Sequence, residues 1–130
     1  DAELADMRFG LDMAKKIGGL DIGQTVIVKN RAIMAVEAIE GTDACIRRGG
    51  QLGRGGVTVA KSAKPKQDMR FDVPGVGPDT VNSMIEAGAV ALVIEAAKTL
   101  VVDRETMVNK ANQHGITIVA MAGDEAGSHA

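Results

Sequence analysis

The sequence predicts a single mixed α/β (α+β) domain, in which a mixed sheet including a hairpin near residues 25–37 is covered by helices. Three observations carry this expectation. The order of patterns is helix, several strands including a hairpin, then helix, strand, strand, helix, strand, which is too irregular for a regular doubly wound fold. The run Val90-Ala91-Leu92-Val93-Ile94 is apolar at every position, as in a strand covered on both faces. At 130 residues and 45 % apolar content, the chain has the length of one domain and the means to build a core.

Taken in order, Leu4, Met7, Leu11, Ala14 and Ile17 recur at three- and four-residue spacing, which predicts an amphipathic helix stopped by Gly18-Gly19. Thr25-Val26-Ile27-Val28 and Ile33-Met34-Ala35-Val36 are β-rich runs joined by Lys29-Asn30-Arg31-Ala32, where Asn30 tolerates the left-handed conformation of a tight turn. A short helix is expected over 42–48. Five glycines between Gly49 and Gly56 then predict a loop, because glycine raises the entropy cost of regular structure. Val57-Thr58-Val59-Ala60 reads as a strand. Pro74-Gly75-Val76-Gly77-Pro78 reads as a loop, after which Asp79 or Thr80 is expected to cap a helix carrying Val81, Met84 and Ile85 toward Gly88. Thr99-Leu100-Val101-Val102 is a second short strand. Asp103 is expected to cap a helix that ends near His114-Gly115, and Ile116 to Met121 closes the fold. The small, polar tail over 123–130 is expected to fray.

Composition excludes several functions. Aromatic residues are 2 % of the chain, with no Trp or Tyr, so base stacking has little support and the core must be built from aliphatic residues and seven Met. A net charge of −2 argues against a general nucleic-acid binder, whose affinity comes from neutralising phosphates. One cysteine, Cys45, excludes an internal disulfide and a multi-cysteine metal site, and fits a reducing compartment. No apolar run approaches the roughly 18–20 residues of a membrane span, and no signal-peptide order is present at the start, so a soluble domain is expected. The chain opens at Asp1 directly on a helix, which suggests a piece of a longer protein.

The richest stretch chemically is Lys64-Pro65-Lys66-Gln67-Asp68-Met69-Arg70-Phe71-Asp72-Val73-Pro74. If residues 68–72 are extended, Asp68, Arg70 and Asp72 share one face, and Met69, Phe71 and Val73 the other. Two carboxylates flanking a guanidinium suit a divalent cation together with a phosphate. The same row fits a solvated sheet edge with a structural ion pair, the commoner arrangement. Three further clusters stand out. In Val36-Glu37-Ala38-Ile39-Glu40-Gly41-Thr42-Asp43, both glutamates interrupt an apolar run at a desolvation cost, and the Gly41-Thr42-Asp43 turn offers backbone N–H groups to an anion or simply caps a helix. Arg47-Arg48-Gly49-Gly50 through Arg54-Gly55-Gly56 fits a phosphate-embracing loop or, more commonly, a plain surface loop; it is not a Walker A sequence. Glu95 ends the most buried strand, where α/β sheets hold ligands. Cys45, His114 and His129 make no nucleophile–base pair by local signature.

Leu20 to Val28, Val36 to Ala44, Lys64 to Pro74 and Ile94-Glu95-Ala96, in this order, resemble the LpxI family of UDP-2,3-diacylglucosamine pyrophosphatases, over about residues 10–122. The likeness is to the family's C-terminal domain, and the family's Rossmann-like N-terminal domain has no counterpart in the chain. One departure is Ala96-Ala97, where the family is expected to have Ala-Gly. The resemblance implies metal-dependent hydrolysis of UDP-2,3-diacylglucosamine to UMP and 2,3-diacylglucosamine 1-phosphate (lipid X), with Mg²⁺ or Mn²⁺ as cofactor. It implies Asp68 and Asp72 as catalytic acids. Substrate contacts would come from Glu40, Gly41, Thr42, Asp43, Lys64, Gln67, Arg70 and Thr80, and metal ligands from Asp68, Asp72, Glu37 and Glu95. The implied partners are the N-terminal domain and the substrate, and the implied location is cytoplasmic, with peripheral inner-membrane contact and a homodimer left open. An isolated domain would be weakly active or inactive. The competing readings are a non-catalytic phosphosugar or lipid binder and a dimerisation module.

Overall fold

A computed structural model describes residues 2–63 and 75–122. Helix α1 (Ala2–Gly19) leads into an antiparallel hairpin, β1 (Thr25–Lys29) and β2 (Ala32–Val36), followed by α2 (Thr42–Gly53) and β3 (Thr58–Lys61). Then come β4 (Gly75–Val76), α3 (Pro78–Ala87), β5 (Ala91–Glu95), β6 (Leu100–Val101), α4 (Arg104–Gln113) and β7 (Thr117–Met121). The main sheet has the order β2-β1-β3-β5-β7, and β4 pairs with β6 in a small sheet of its own. Strand β1 runs antiparallel to β2 and β3, whereas β3, β5 and β7 are parallel. The expected mixed sheet covered by helices is what the chain forms.

Strand alternation sorts the core into two layers. Val26, Val28, Ala60, Ala91 and Val93 meet Met7, Leu11 and Ala14 of α1. Ile27, Val59, Leu92 and Ile94 face the other way, onto Ile46 of α2, Val81 and Met84 of α3 and Met107 of α4. With both faces covered, β5 is buried along its whole length, as its uninterrupted apolar run predicts.

The hairpin turns through Asn30 and Arg31, both at positive φ (52° and 58°), the primed-turn geometry that matches strand twist. A residue outside the strands secures it. Asp6 of α1 is 9 % exposed, and its two carboxylate oxygens accept the backbone N–H groups of Asn30 (3.1 Å) and Arg31 (2.8 Å).

The expected glycine loop after residue 48 is a helix instead. Helix α2 continues to Gly53, because its glycines are contact points. A Cβ on Gly49 would lie 2.5 Å from the Ile27 side chain, and one on Gly50 would run into Ala87 of α3. The connection to β3 is short, running through Arg54, Gly55 and Gly56, all at positive φ, and Val57. The Pro74–Pro78 stretch, expected as a loop, contains the two-residue strand β4, which finds a parallel partner in Leu100-Val101. Helix α3 starts two or three residues earlier than expected, with Gly77 rather than Asp79 or Thr80 as its N-cap and Pro78 at its first position. Asp103 does stand at the N-cap of α4 but its side chain makes no capping bond. The extended strand expected at 68–72 and the frayed tail expected at 123–130 lie outside the described residues.

Candidate active site at one edge of the sheet

The topology brings several strand ends to a single edge. Lys61 and Glu95 terminate the parallel strands β3 and β5. Because β1 is antiparallel to β3, its first residue, Thr25, lies beside Lys61. The Glu37 N–H donates to the Thr25 carbonyl at 2.9 Å, placing the residue after β2 on the same edge. Thr42, the first residue of α2, closes the group. Strand carboxyl ends of this kind are where open α/β sheets commonly bind ligands.

Four side chains form a continuous polar chain there. The Lys61 ammonium donates to Thr42 Oγ1 at 3.2 Å and to the Gly75 carbonyl at 3.0 Å. Thr42 Oγ1 donates to Glu37 Oε1 at 3.2 Å, and Thr25 Oγ1 lies 3.4 Å from Thr42 Oγ1. Lys61 is 8 % exposed, and burial lowers its pKa below the ordinary lysine value, opposed by the negative charges of Glu37 and Asp43. On the neighbouring turn of α2, Asp43 Oδ1 accepts the Ser83 hydroxyl at 3.0 Å, which ties α2 to α3. Gly41 precedes α2 at φ 92°, a conformation that favours glycine, and a Cβ there would meet nothing within 4 Å. The α2 N-terminus is therefore approachable.

Glu95 is 3 % exposed, and by strand alternation it falls on the α1 face, opposite Lys61. Its Oε1 accepts the Ala63 N–H at 3.0 Å, and Lys98 Nζ stands 3.7 Å from Oε2. The buried Ser62 hydroxyl beside it has no hydrogen-bond partner among the described residues. Ala63 and Gly75 are the residues at which the chain leaves and re-enters the described structure, on either side of the Lys64–Pro74 motif. One is held by Glu95 and the other by Lys61.

Of the residues singled out by sequence, Glu37, Gly41, Thr42 and Asp43 gather with Lys61, while Glu95 sits across the sheet. Glu40 is on the surface, where it pairs with Arg48, so it bears no desolvation cost of the kind its apolar neighbours suggested. Arg48 holds the Glu40 carboxyl below the usual carboxylate range. Arg47 pairs with Glu86 at 3.0 Å, and both arginines ride on α2 rather than on a phosphate-embracing loop. Thr80 is buried and its hydroxyl accepts the Gly77 N–H at 3.2 Å, a helix-start role. Asp68, Asp72, Lys64, Gln67 and Arg70 lie outside the described residues. Lys61 is the residue that sequence reading passed over; its one signal was a lysine continuing the apolar run Val57 to Ala60.

Among the described residues, no three Asp, Glu, His or Cys side chains gather as a metal site. Cys45 is buried in α2, and burial pushes its thiol up to about 12, which rules it out as a nucleophile at neutral pH.

The rim of the site is aliphatic. Leu20 and Ile22 before β1, Ile39 in the Glu37–Gly41 turn, and Leu100 and Val102 around β6 are all exposed. A cleft of about 350 Å³ opens beside the end of β5, lined by apolar residues such as Ile94, Met107 and Ile118 together with Glu95, Thr99 and Arg104. Together these features define an α/β domain with a buried polar cluster at its strand ends and exposed aliphatic side chains on the neighbouring segments.

Comparison with known proteins narrows that class. Residues 1–119 match the LpxI C-terminal domain, and the chain belongs to that family. It is 40 % identical over 131 residues to the UDP-2,3-diacylglucosamine pyrophosphatase LpxI of Caulobacter vibrioides, an alignment covering 94 % of this chain and 46 % of the relative. The chain thus spans about half the length of the curated relative it matches.

Proposed function

We propose that this chain is the part of a UDP-2,3-diacylglucosamine pyrophosphatase that binds the acylated sugar phosphate and carries the catalytic acids, producing UMP and 2,3-diacylglucosamine 1-phosphate for lipid A synthesis in the cytoplasm. The observation that supports this most is the convergence at one sheet edge. Both flanks of the acidic Lys64–Pro74 motif are held at that edge by buried charged side chains, Gly75 by Lys61 beside Thr42 and Glu37, and Ala63 by Glu95 on the opposite face of the sheet. Pyrophosphate hydrolysis needs neutralised phosphate oxygens, an activated water and a stabilised leaving phosphate. In this reading Asp68 activates the water with Asp72 as its associate, Arg70, Lys64 and Gln67 contact phosphate and sugar, and the turn at Gly41 to Asp43 receives further substrate oxygens. The aliphatic rim and the cleft beside β5 suit the acyl chains.

A divalent cation, Mg²⁺ or Mn²⁺, enters this proposal through Asp68 and Asp72, with Glu37 as a further ligand from the lysine side of the sheet. The described acids do not form a metal centre by themselves, and Glu95, already engaged by Ala63 and Lys98, is the weakest candidate ligand. When bound, such an ion would supply charge neutralisation of the pyrophosphate.

The test uses a chimera in which this chain replaces the matched half of the Caulobacter relative. UMP release from UDP-2,3-diacylglucosamine is measured with and without Mg²⁺ or Mn²⁺, for wild type and Asp68→Ala. The proposal expects metal-dependent turnover that falls by about 10²-fold or more in Asp68→Ala, the scale of losing a group that acts in the transition state. Equal rates remove Asp68 from the chemistry. Binding of lipid X by this chain, with no turnover by the chimera, would favour a non-catalytic binding module instead.

A further inference from the structure

Lys61 is an expensive residue for a fold to keep. A buried ammonium loses hydration that only close opposite charge restores, and its direct partners here are a hydroxyl and a carbonyl. Among the described residues no carboxylate pairs with it directly. Among the described residues, the Glu37 carboxylate is reached through Thr42.

The hydrogen inventory fixes the direction of this chain. An ammonium has three donors and no acceptor, so Thr42 Oγ1 must accept from Lys61. The single Thr42 hydrogen is then left for Glu37 Oε1 at 3.2 Å. The Thr25 hydroxyl, 3.4 Å away, can only donate to Thr42 in that arrangement. With Lys61 charged, every hydrogen points toward the Glu37 carboxylate. Without it, Thr42 gains a free lone pair and can turn its hydrogen toward Thr25. The same ammonium also grips the Gly75 carbonyl.

We propose that Lys61 is a positioning residue for the reaction: through the Thr42 hydroxyl it orients the Glu37 carboxylate, and through the Gly75 carbonyl it sets β4 against the start of α2. The inference deepens the hydrolase reading and rests on it for its link to turnover. It assigns Lys61 to function rather than to stability, since most of what the buried ammonium does for the fold is unfavourable.

The test has two arms. In the first, the lysine ammonium groups of this chain are observed by ¹⁵N NMR at neutral pH. Lys61 should give an ammonium signal protected from exchange with water, moved by Thr42→Val and unmoved by the surface change Arg47→Gln. Free exchange, or indifference to Thr42→Val, overturns the relay whether or not the chain belongs to a hydrolase. In the second arm, Lys61→Met in the chimera should lower kcat about tenfold or more, the scale of misplacing a group, with KM within about threefold of wild type. Its melting temperature should stay within about 4 °C of wild type. Thr42→Ser, which keeps the hydroxyl, should retain activity, whereas Thr42→Val should reproduce the loss and add little to Lys61→Met. Additive losses, or a melting temperature that falls in step with activity, would overturn the positioning role. An inactive wild-type chimera rejects the hydrolase reading and leaves the first arm to decide the relay.

Discussion

Replacing Gly49 by alanine should destabilise this protein, although alanine is the better helix former. Gly49 lies in the second half of α2, where the helix crosses β1. An added Cβ would stand 2.5 Å from both Cβ and Cγ2 of Ile27 and 2.6 Å from its Cγ1. Ile27 is fully buried in the centre of the sheet and has no room to withdraw. Relief requires α2 to lift from the sheet or the strand to shift, because no rotamer change moves the Ile27 Cβ, and this puts the overpacking strain in the upper part of the usual range, about 2–3 kcal/mol. Helix propensity returns roughly 1 kcal/mol. The net expectation is a loss of about 1–2 kcal/mol, or roughly 4–8 °C in melting temperature for a domain of this size. Gly19→Ala is the control, because a Cβ there meets nothing within 4 Å, and it should leave stability equal or slightly raised. Urea unfolding followed by circular dichroism measures both. A Gly49→Ala variant as stable as wild type would refute the close approach of α2 to β1, and with it the reading of the glycines as contact points.

Three further outcomes follow from the same packing. Asp6→Ala leaves the Asn30 and Arg31 N–H groups without their carboxylate and should cost about 1–3 kcal/mol in urea unfolding, with the sheet-edge site undisturbed. Cys45 should resist iodoacetamide in the native state at pH 8 and react once urea unfolds the chain, because burial holds its folded pKa at about 12 against an ordinary 9.0. The sign of the linked effect follows. A pKa raised on folding means that the thiol's contribution to stability is whole below about pH 9 and is lost as pH climbs toward 12, so Cys45→Ala should flatten the alkaline decline of stability.

Much of the architecture was legible because local pattern and tertiary role agree. The stripe from Leu4 to Ile17 is the face α1 buries, the 25–36 runs form the hairpin, and the unbroken apolar run at 90–94 is the doubly covered β5. The second half of α2 was not legible. Glycine's entropic cost is a local property, whereas the contacts that outweigh it, with Ile27 and Ala87, come from distant parts of the chain. The site divides the same way. Glu37 and Thr42 lie five residues apart and are read together as a junction, and Glu95 ends the most buried strand as expected. Lys61 looks like the ordinary charged end of a strand. Only its register with Thr25, and the arrival of Gly75 beside it, turn that charge inward.

The central claim is that ligand chemistry belongs to the edge where Lys61, Thr42 and Glu37 meet. Backbone amide NMR of this chain, titrated with 2,3-diacylglucosamine 1-phosphate, tests it most directly. The account predicts the largest shifts at residues 37–45, 61–63 and 75–77. Shifts concentrated instead at the hairpin turn around Asn30, or at the far end of α4 near His114, would contradict it.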